Sequence, residues 1–321
     1  MIRLLSNLVL TRLLFPEAFG LMALVQVVLA GTAMFSDLGI AGSILQNPRG
    51  KDPVFLNTAW TLQIGRGILL FAAVLILAEP LAEFYDAPKL AEILQVSAFV
   101  PLIQGFNSTR IATATREIQL GRVTAIALGA QVLGVLVMIA LSFWLRSVWA
   151  LVFGTLVQPL VVMLLSHILL KGPPNRLAFE REAFASLFSF GRFVFFATLA
   201  GFFVRQGDRA VLGKFVSLDD LAIYNIGFFL ATVPTILSQQ ISDKVVYPLY
   251  ARRPPAESTR NRKKINKARI LLTGGMVLAA VALAILGDWG VRLLYDSRYE
   301  AAGPVVIVVA LASLPLSLIH I

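Results

Sequence analysis

Long apolar segments follow one another along almost the whole chain, and they constrain the fold more than any other feature. Each is long enough to cross a bilayer as a helix, which takes about 20 residues. Apolar residues make up 58% of the 321 and charged residues only 14%, whereas a soluble domain needs a polar exterior. Because lipid offers the backbone no hydrogen bonds, such segments must be helical. The sequence predicts an all-α polytopic membrane protein with about ten transmembrane helices.

Short polar connections separate the predicted spans. A membrane β-barrel does not fit, because its strands would be segments of about 10 residues that alternate apolar and polar side chains. The predicted spans are residues 1–14, 20–46, 56–78, 90–109, 120–143, 147–170, 185–205, 220–242, 268–287 and 303–321.

Lys and Arg in the connections predict the orientation. Alternate connections are basic, and the richest carries nine Lys and Arg between Lys244 and Arg269. Basic connections stay cytoplasmic, which also places Met1 on that side and the acidic loop 79–92 outside. The net charge of +10 is therefore read as a topology signal, and no nucleic acid is expected as a partner.

The chain lacks the residue patterns of catalytic and metal sites. Cys is absent, which excludes disulfides and thiolate ligands. The sequence contains no phosphate-binding Gly-rich loop and no His and carboxylate at metal-ligand spacing. We expect a protein without enzymatic activity, cofactor or metal.

Two short patterns recur in the same order. Residues 10–21 (LTRLLFPEAFGL) resemble residues 212–223 (LGKFVSLDDLAI), so that Arg12 pairs with Lys214. Downstream, Tyr85-Asp86 echoes Tyr295-Asp296. All four lie on the predicted outer side, which indicates two parallel repeats, one of the two ways in which secondary transporters are built.

The repeat divides the chain into an N-terminal lobe (1–170), a cytoplasmic inter-lobe loop (171–184) and a C-terminal lobe (185–321). The second lobe holds four spans against six in the first, so it is expected to be incomplete. We expect the sequence to be a fragment of a molecule with at least twelve spans, and the native origin of residues 317–321 is left open.

Several segments resemble one known family. Residues 7–20 (NLVLTRLLFPEAFG), 35–40 (FSDLGI), 57–66 (NTAWTLQIGR) and 208–214 (DRAVLGK) are similar to the polysaccharide-transporter branch of the multidrug/oligosaccharidyl-lipid/polysaccharide exporter superfamily. The resemblance implies two helical lobes around a central cavity. It also implies a flippase that moves an undecaprenyl-diphosphate-linked oligosaccharide across the bacterial inner membrane, for lipopolysaccharide or exopolysaccharide assembly. Implied partners are that lipid-linked glycan, membrane lipids, and as further candidates a polysaccharide polymerase and chain-length proteins.

Three charged residues inside predicted spans are the candidate substrate-binding residues. A charge in a bilayer is costly, so it normally faces the interior of the bundle. Arg66 and Arg192 are predicted to face the cavity and to contact the pyrophosphate, for which guanidinium groups are well suited. Asp37 is predicted at a depth comparable with that of Arg66. The alternative is structural: an Asp37–Arg66 ion pair, with Arg192 reaching the inner headgroups.

Intramembrane amides, among them Gln63, Gln104 and Asn107, are predicted mainly to bridge helices, with sugar binding as an alternative. Other functions stay open. A cation-coupled multidrug exporter would favour acidic cavity residues, and a membrane glycosyltransferase would usually carry a large loop with catalytic carboxylates. A lipid II flippase is not distinguished by the sequence.

Reporter fusions test the orientation. Alkaline phosphatase, which is active only outside the cytoplasm, should be inactive when fused at Pro255 and active when fused at Asp86. The reverse pattern would overturn both the topology and the parallel-repeat argument.

Overall fold

The structure, a computed structural model, describes residues 2–36, 39–242 and 258–319. Within these ranges the chain forms α-helices and one 3-10 turn, with no β-strand. The predicted all-α class is confirmed. By packing, the chain divides into two compact units, Met1–Leu221 and Ala222–Ile321, which are described separately.

The first unit combines long helices with short ones. A large core joins α1, α2 and α5 through buried residues such as Leu10, Leu24 and Leu90. The helices are α1 (Ile2–Leu13), α2 (Pro16–Phe35), α3 (Ile40–Gln46), α4 (Pro53–Phe84), α5 (Lys89–Ser97), α6 (Phe99–Gly105), α7 (Arg110–Arg116), α8 (Leu120–Leu145), α9 (Val148–Ile168), α10 (Arg181–Phe215) and the first turn of α11 (Leu218–Ile241).

The second unit contains the rest of α11, then α12 (Thr259–Leu294) and α13 (Ala302–Ile319). α12 and α13 pack against each other where Gly287 meets the side chain of Val306.

The residues that are paired in the predicted repeat occupy similar positions relative to their helices. Tyr85 and Tyr295 each directly follow a long helix, α4 and α12. Arg12 and Lys214 each lie in the last turn of a helix. The superposition of the lobes, and their boundaries at 170 and 185, stay predictions.

Seven described helices are long and apolar enough to cross a membrane: α2, α4, α8, α9, α10, α11 and α12. Large apolar side chains are exposed along them, including Val204 at 86% and Leu271 at 75%. Such surfaces would be a liability in water but suit contact with lipid, as in a multi-pass membrane protein. The count of about ten spans stays a prediction.

Two predicted spans are interrupted. In the span predicted over 20–46, α2 ends at Phe35 and α3 begins only at Ile40. Gly39, just before α3, has a left-handed φ of 57°, and a Cβ there would lie 2.7 Å from Val194 Cγ2. The span predicted over 90–109 is two helices, α5 and α6, that meet at Ala98. Pro101 lies in the first turn of α6, where its missing N–H costs little.

α4 and α6 cross at very short distance. A Cβ on Gly67 would lie 3.0 Å from Gly105 Cα and 3.0 Å from the Pro101 carbonyl oxygen. One turn earlier on α4, Gln63 Nε2 donates to the carbonyl oxygens of Gln104 (3.2 Å), Gly105 (3.0 Å) and Asn107 (2.9 Å). The amide thus adds a donor at the end of α6, where helix carbonyls lack their usual partners, although the Gln104 carbonyl oxygen also accepts from the Asn107 N–H (3.1 Å). The prediction that Gln63 bridges helices is confirmed.

Gly67→Ala should force α4 and α6 apart, because the new methyl group meets backbone atoms that cannot move aside. We expect destabilisation of about 1–3 kcal/mol, seen as a lower thermal-unfolding midpoint of the protein in detergent. Gly65→Ala is the matched control, since a Cβ there has nothing within 4 Å; its midpoint should be unchanged or higher. Equal midpoints for Gly67→Ala and the unchanged protein would contradict the close crossing.

Gln63→Glu should remove the donor that three carbonyls share and place a carboxylate oxygen against them. Of the three residues that accept this amide, Gly105 is buried, and leaving a buried acceptor unsatisfied costs about 1–3 kcal/mol. The unfolding midpoint in detergent should therefore fall. Gln95→Glu, the same change at an exposed position of α5, should leave it nearly unchanged. Equal midpoints for the two variants would show that the Gln63 amide does not hold α6 to α4.

Candidate functional site

A cavity of about 620 Å³ lies within the first unit, between α2, α3, α4, α6, α7 and α10. Apolar walls come from residues such as Ile40 and Leu70, whereas one wall is polar. The polar lining residues are Gln63, Arg66, Gln104, Asn107, Ser108, Thr109 and Thr115. A polar wall inside an apolar bundle is the arrangement expected of a site for a polar ligand in a membrane.

Among the described residues that line this cavity, Arg66 is the one with a charged side chain. It lies about 20 Å along α4. Its Nε donates to Ser36 Oγ (3.1 Å) and its Nη2 donates to the Ala33 carbonyl oxygen (2.6 Å). Both acceptors belong to the C-terminal end of α2, where free carbonyls carry partial negative charge. The guanidinium is therefore fixed at the cavity wall by a helix end.

The other two candidate residues are not placed beside Arg66 by the structure. Asp37 lies outside the described residues. Arg192 belongs to α10, between Phe190 and Val194, whose side chains line the cavity; the position of its own side chain lies outside the described part. That Arg66 and Arg192 share one cavity, and that Asp37 pairs with Arg66, stay predictions.

The polar wall continues from α6 into α7, through residues that the sequence does not predict to belong to a site. Asn175 Nδ2 donates to Thr109 Oγ1 (2.6 Å), and Ser108 Oγ donates to Asn175 Oδ1 (2.6 Å). The polar run 107–110 is the sequence signal for this part of the wall. The predicted span 90–109 includes three of these four residues, so the sequence does not single them out as a separate polar segment.

Residues 176–180, part of the predicted inter-lobe loop, are hydrogen-bonded along α4. The Ala178 N–H donates to Thr61 Oγ1 (3.0 Å), and that hydroxyl donates to the Ala178 carbonyl oxygen (2.8 Å). The Glu180 N–H donates to Thr58 Oγ1 (3.0 Å) in the same way. These bonds hold the approach to α10 against the helix that carries Arg66.

Ion pairs lie at the same end of α4. Arg49 contacts Asp52 (2.6 Å) and Glu180 (2.7 Å), and Lys51 contacts Glu117 (2.8 Å). Hydrogen bonds from Arg49 and from the backbone hold the pKa of Asp52 below its usual value, and the Lys51 ammonium lowers the pKa of Glu117. These side chains are solvent-accessible, so each pair contributes little to stability.

Comparison with known proteins identifies the family. The family model described as polysaccharide biosynthesis protein matches residues 9–304. The teichuronic acid biosynthesis protein TuaB of Bacillus subtilis is 21% identical over 279 residues, which cover 87% of this chain and 57% of that protein. The lipopolysaccharide biosynthesis protein WzxC of Escherichia coli is 22% identical over 301 residues, 92% of this chain and 60% of WzxC.

The succinoglycan biosynthesis transport protein ExoT of Rhizobium meliloti is 20% identical over 310 residues, 95% of this chain and 61% of ExoT. The chain thus spans about three-fifths of the length of these relatives. No solved structure matches it. Since the family model covers most of the sequence, the chain belongs to the polysaccharide biosynthesis protein family.

Proposed function

We propose that this protein is a flippase that moves a lipid-linked oligosaccharide across the bacterial inner membrane by alternating access, with its N-terminus in the cytoplasm. The cargo is an undecaprenyl-diphosphate-linked repeat unit for lipopolysaccharide or exopolysaccharide assembly. The family and the names of TuaB, WzxC and ExoT support a role in the making or transport of a polysaccharide. The observation that carries the proposal is a guanidinium in a polar-walled cavity between apolar helices.

The cavity offers the two chemistries that such a cargo needs. A pyrophosphate is an anion with many acceptor oxygens, which a guanidinium binds through several N–H donors. Sugars present hydroxyl groups, for which side chains such as Gln104, Ser108 and Thr115 supply donors and acceptors. The apolar helix surfaces face lipid, where the polyprenyl chain would remain. Transport needs no bond chemistry here, so we propose a transporter without enzymatic activity.

The charge of the cavity favours this function over a cation-coupled multidrug exporter. Cation coupling would favour carboxylates in the cavity, whereas the charged side chain among its described lining residues is that of Arg66. A lipid II flippase remains the alternative, because its cargo shares the pyrophosphate and the prenyl chain. A glycan-export assay separates the two, since only the oligosaccharide flippase restores the surface polysaccharide.

Removing either Arg should impair export of any glycan carried on the same pyrophosphate. We expect Arg66→Ala and Arg192→Ala to lower glycan export at least tenfold, since a charge-assisted hydrogen bond is worth about 1.5–3 kcal/mol. Arg66→Lys should be intermediate, because an ammonium keeps the charge but lacks the fork of donors. The measurement is surface polysaccharide in cells that depend on this protein, at matched membrane levels of each variant.

Arg122→Ala, at an exposed position of α8, is the matched control and should export normally. Normal export with Arg66→Ala, Arg66→Lys and Arg192→Ala would refute the anion site. If Arg66→Ala and Asp37→Asn instead fail together through loss of folded protein, the role of Arg66 is structural, and the flippase proposal rests on the family alone.

A further inference from the structure

A second concave surface lies on the other face of α6 from the cavity. This α9 groove has a volume of about 520 Å³ and is formed by α4, α6 and α9. It is lined by Trp60, Leu102, Ile103, Phe106, Met163, Leu164, His167 and Ile168. The cavity is lined instead by Pro101, Gln104 and Gly105 of α6, so the two surfaces are separate.

The α9 groove presents an apolar surface. The His167 ring nitrogen Nε2 lies 2.9 Å from the Phe106 carbonyl oxygen. Trp60 Nε1 is buried and has no hydrogen-bond partner in the described part of the chain. The Trp60 and His167 rings pack edge to face, with centroids 6.2 Å apart. A hydrocarbon chain suits this lining, whereas a sugar would leave its hydroxyls without hydrogen bonds.

Two exposed cations, Lys171 and Arg176, lie near the end of α9 and the first turns of α4. α9 ends at Ile168, and Lys171 follows within three residues. The backbone N–H of Arg176 donates to Asn57 Oδ1 (3.0 Å), and Asn57 lies one helical turn before Trp60 on α4. Both cations are therefore at the same end of the α9 groove, the end predicted to be cytoplasmic.

Arg110 adds a third positive charge there. Its Nη1 donates to the carbonyl oxygens of His167 (2.7 Å) and Leu170 (3.1 Å), which holds the guanidinium at the end of α9. Residues 98–116 and 160–179 contain no Asp or Glu. Glu117 and Glu180, which directly follow these segments, pair with Lys51 (2.8 Å) and Arg49 (2.7 Å). The end of the groove is thus basic without a carboxylate in these segments to neutralise it.

We infer that the α9 groove binds an anionic phospholipid, with an acyl chain along the groove and the phosphate near Lys171 and Arg176. Basic pockets between helices on the cytoplasmic side suit such headgroups. A zwitterionic lipid also offers an acyl chain, but its headgroup brings no net negative charge to the three cations. The inference does not depend on the cargo proposed above, because this lipid is a bound partner.

Trp60 itself can report occupancy, since bromine on an acyl chain quenches the fluorescence of a neighbouring tryptophan. The probe is the protein in which Trp144, Trp149 and Trp289 are changed to Phe, reconstituted in phosphatidylcholine vesicles. Brominated phosphatidylglycerol or brominated phosphatidylcholine is then added in increasing proportion. We expect half-maximal quenching at a several-fold lower mole fraction of the phosphatidylglycerol.

Lys171→Gln and Arg176→Gln should each raise that mole fraction by about fivefold, the effect of one cation near an anionic headgroup. Arg122→Gln, an exposed cation on α8, should leave it unchanged. A protein that keeps only Trp289, which is 64% exposed on α12, should show no preference for phosphatidylglycerol.

Three results would overturn the inference. Equal quenching of Trp60 by the two lipids would mean ordinary contact with the surrounding bilayer only. No quenching by either lipid would mean that protein covers the groove. If the double variant Lys171→Gln/Arg176→Gln keeps the preference for phosphatidylglycerol, these cations do not determine lipid binding.

Discussion

Helix ends in an apolar environment must find hydrogen-bond donors, and this requirement organises the first unit. The last carbonyls of a helix have no partner within it, and lipid supplies none. In the first unit, side chains from other elements supply the donors at the ends of α2, α3, α6 and α9. These side chains are Arg66 to Ala33, Arg116 to Ile44 and Asn47, Gln63 to Gln104, Gly105 and Asn107, and Arg110 to His167 and Leu170.

Cations are well suited to this task, because a helix C-terminus carries partial negative charge. Arg66 performs it at the wall of the cavity, so the structural and binding interpretations of this residue are compatible. In the proposed anion site, a guanidinium held by α2 would already be in position before the ligand arrives, which would lower the ordering cost of binding. Because one guanidinium would serve both roles, glycan export and the amount of folded protein must be measured together for variants of Arg66.

The sequence predicts those features that depend on local composition. The apolar runs locate α8 and α9 to within about two residues, because the length of these helices follows from the thickness of the bilayer. The cost of a charge in lipid identifies Arg66 as a cavity residue. The break after Phe35 is not predicted, since Gly39 and its approach to Val194 on α10 involve residues about 155 positions apart. Likewise, the partner of Gln63 is 41 residues away, and periodicity in one segment carries no information about the other.

α10 shows how firm and weak contacts are distributed along one helix. Near its start Asn47 Nδ2 donates to Ser186 Oγ (2.8 Å), and near its end Lys214 pairs with Asp86 (2.7 Å). The Lys214–Asp86 pair is solvent-accessible and contributes at most about 1 kcal/mol. The packing of Gly39 against α10, in contrast, is close and apolar. The start of α10 is also packed through the buried residues Ala183 and Leu187, and near its end Gly213 lies close against Leu24. If α10 moves during the proposed alternating access, the Lys214–Asp86 pair can therefore separate at small cost, whereas the apolar packing along the helix resists the motion.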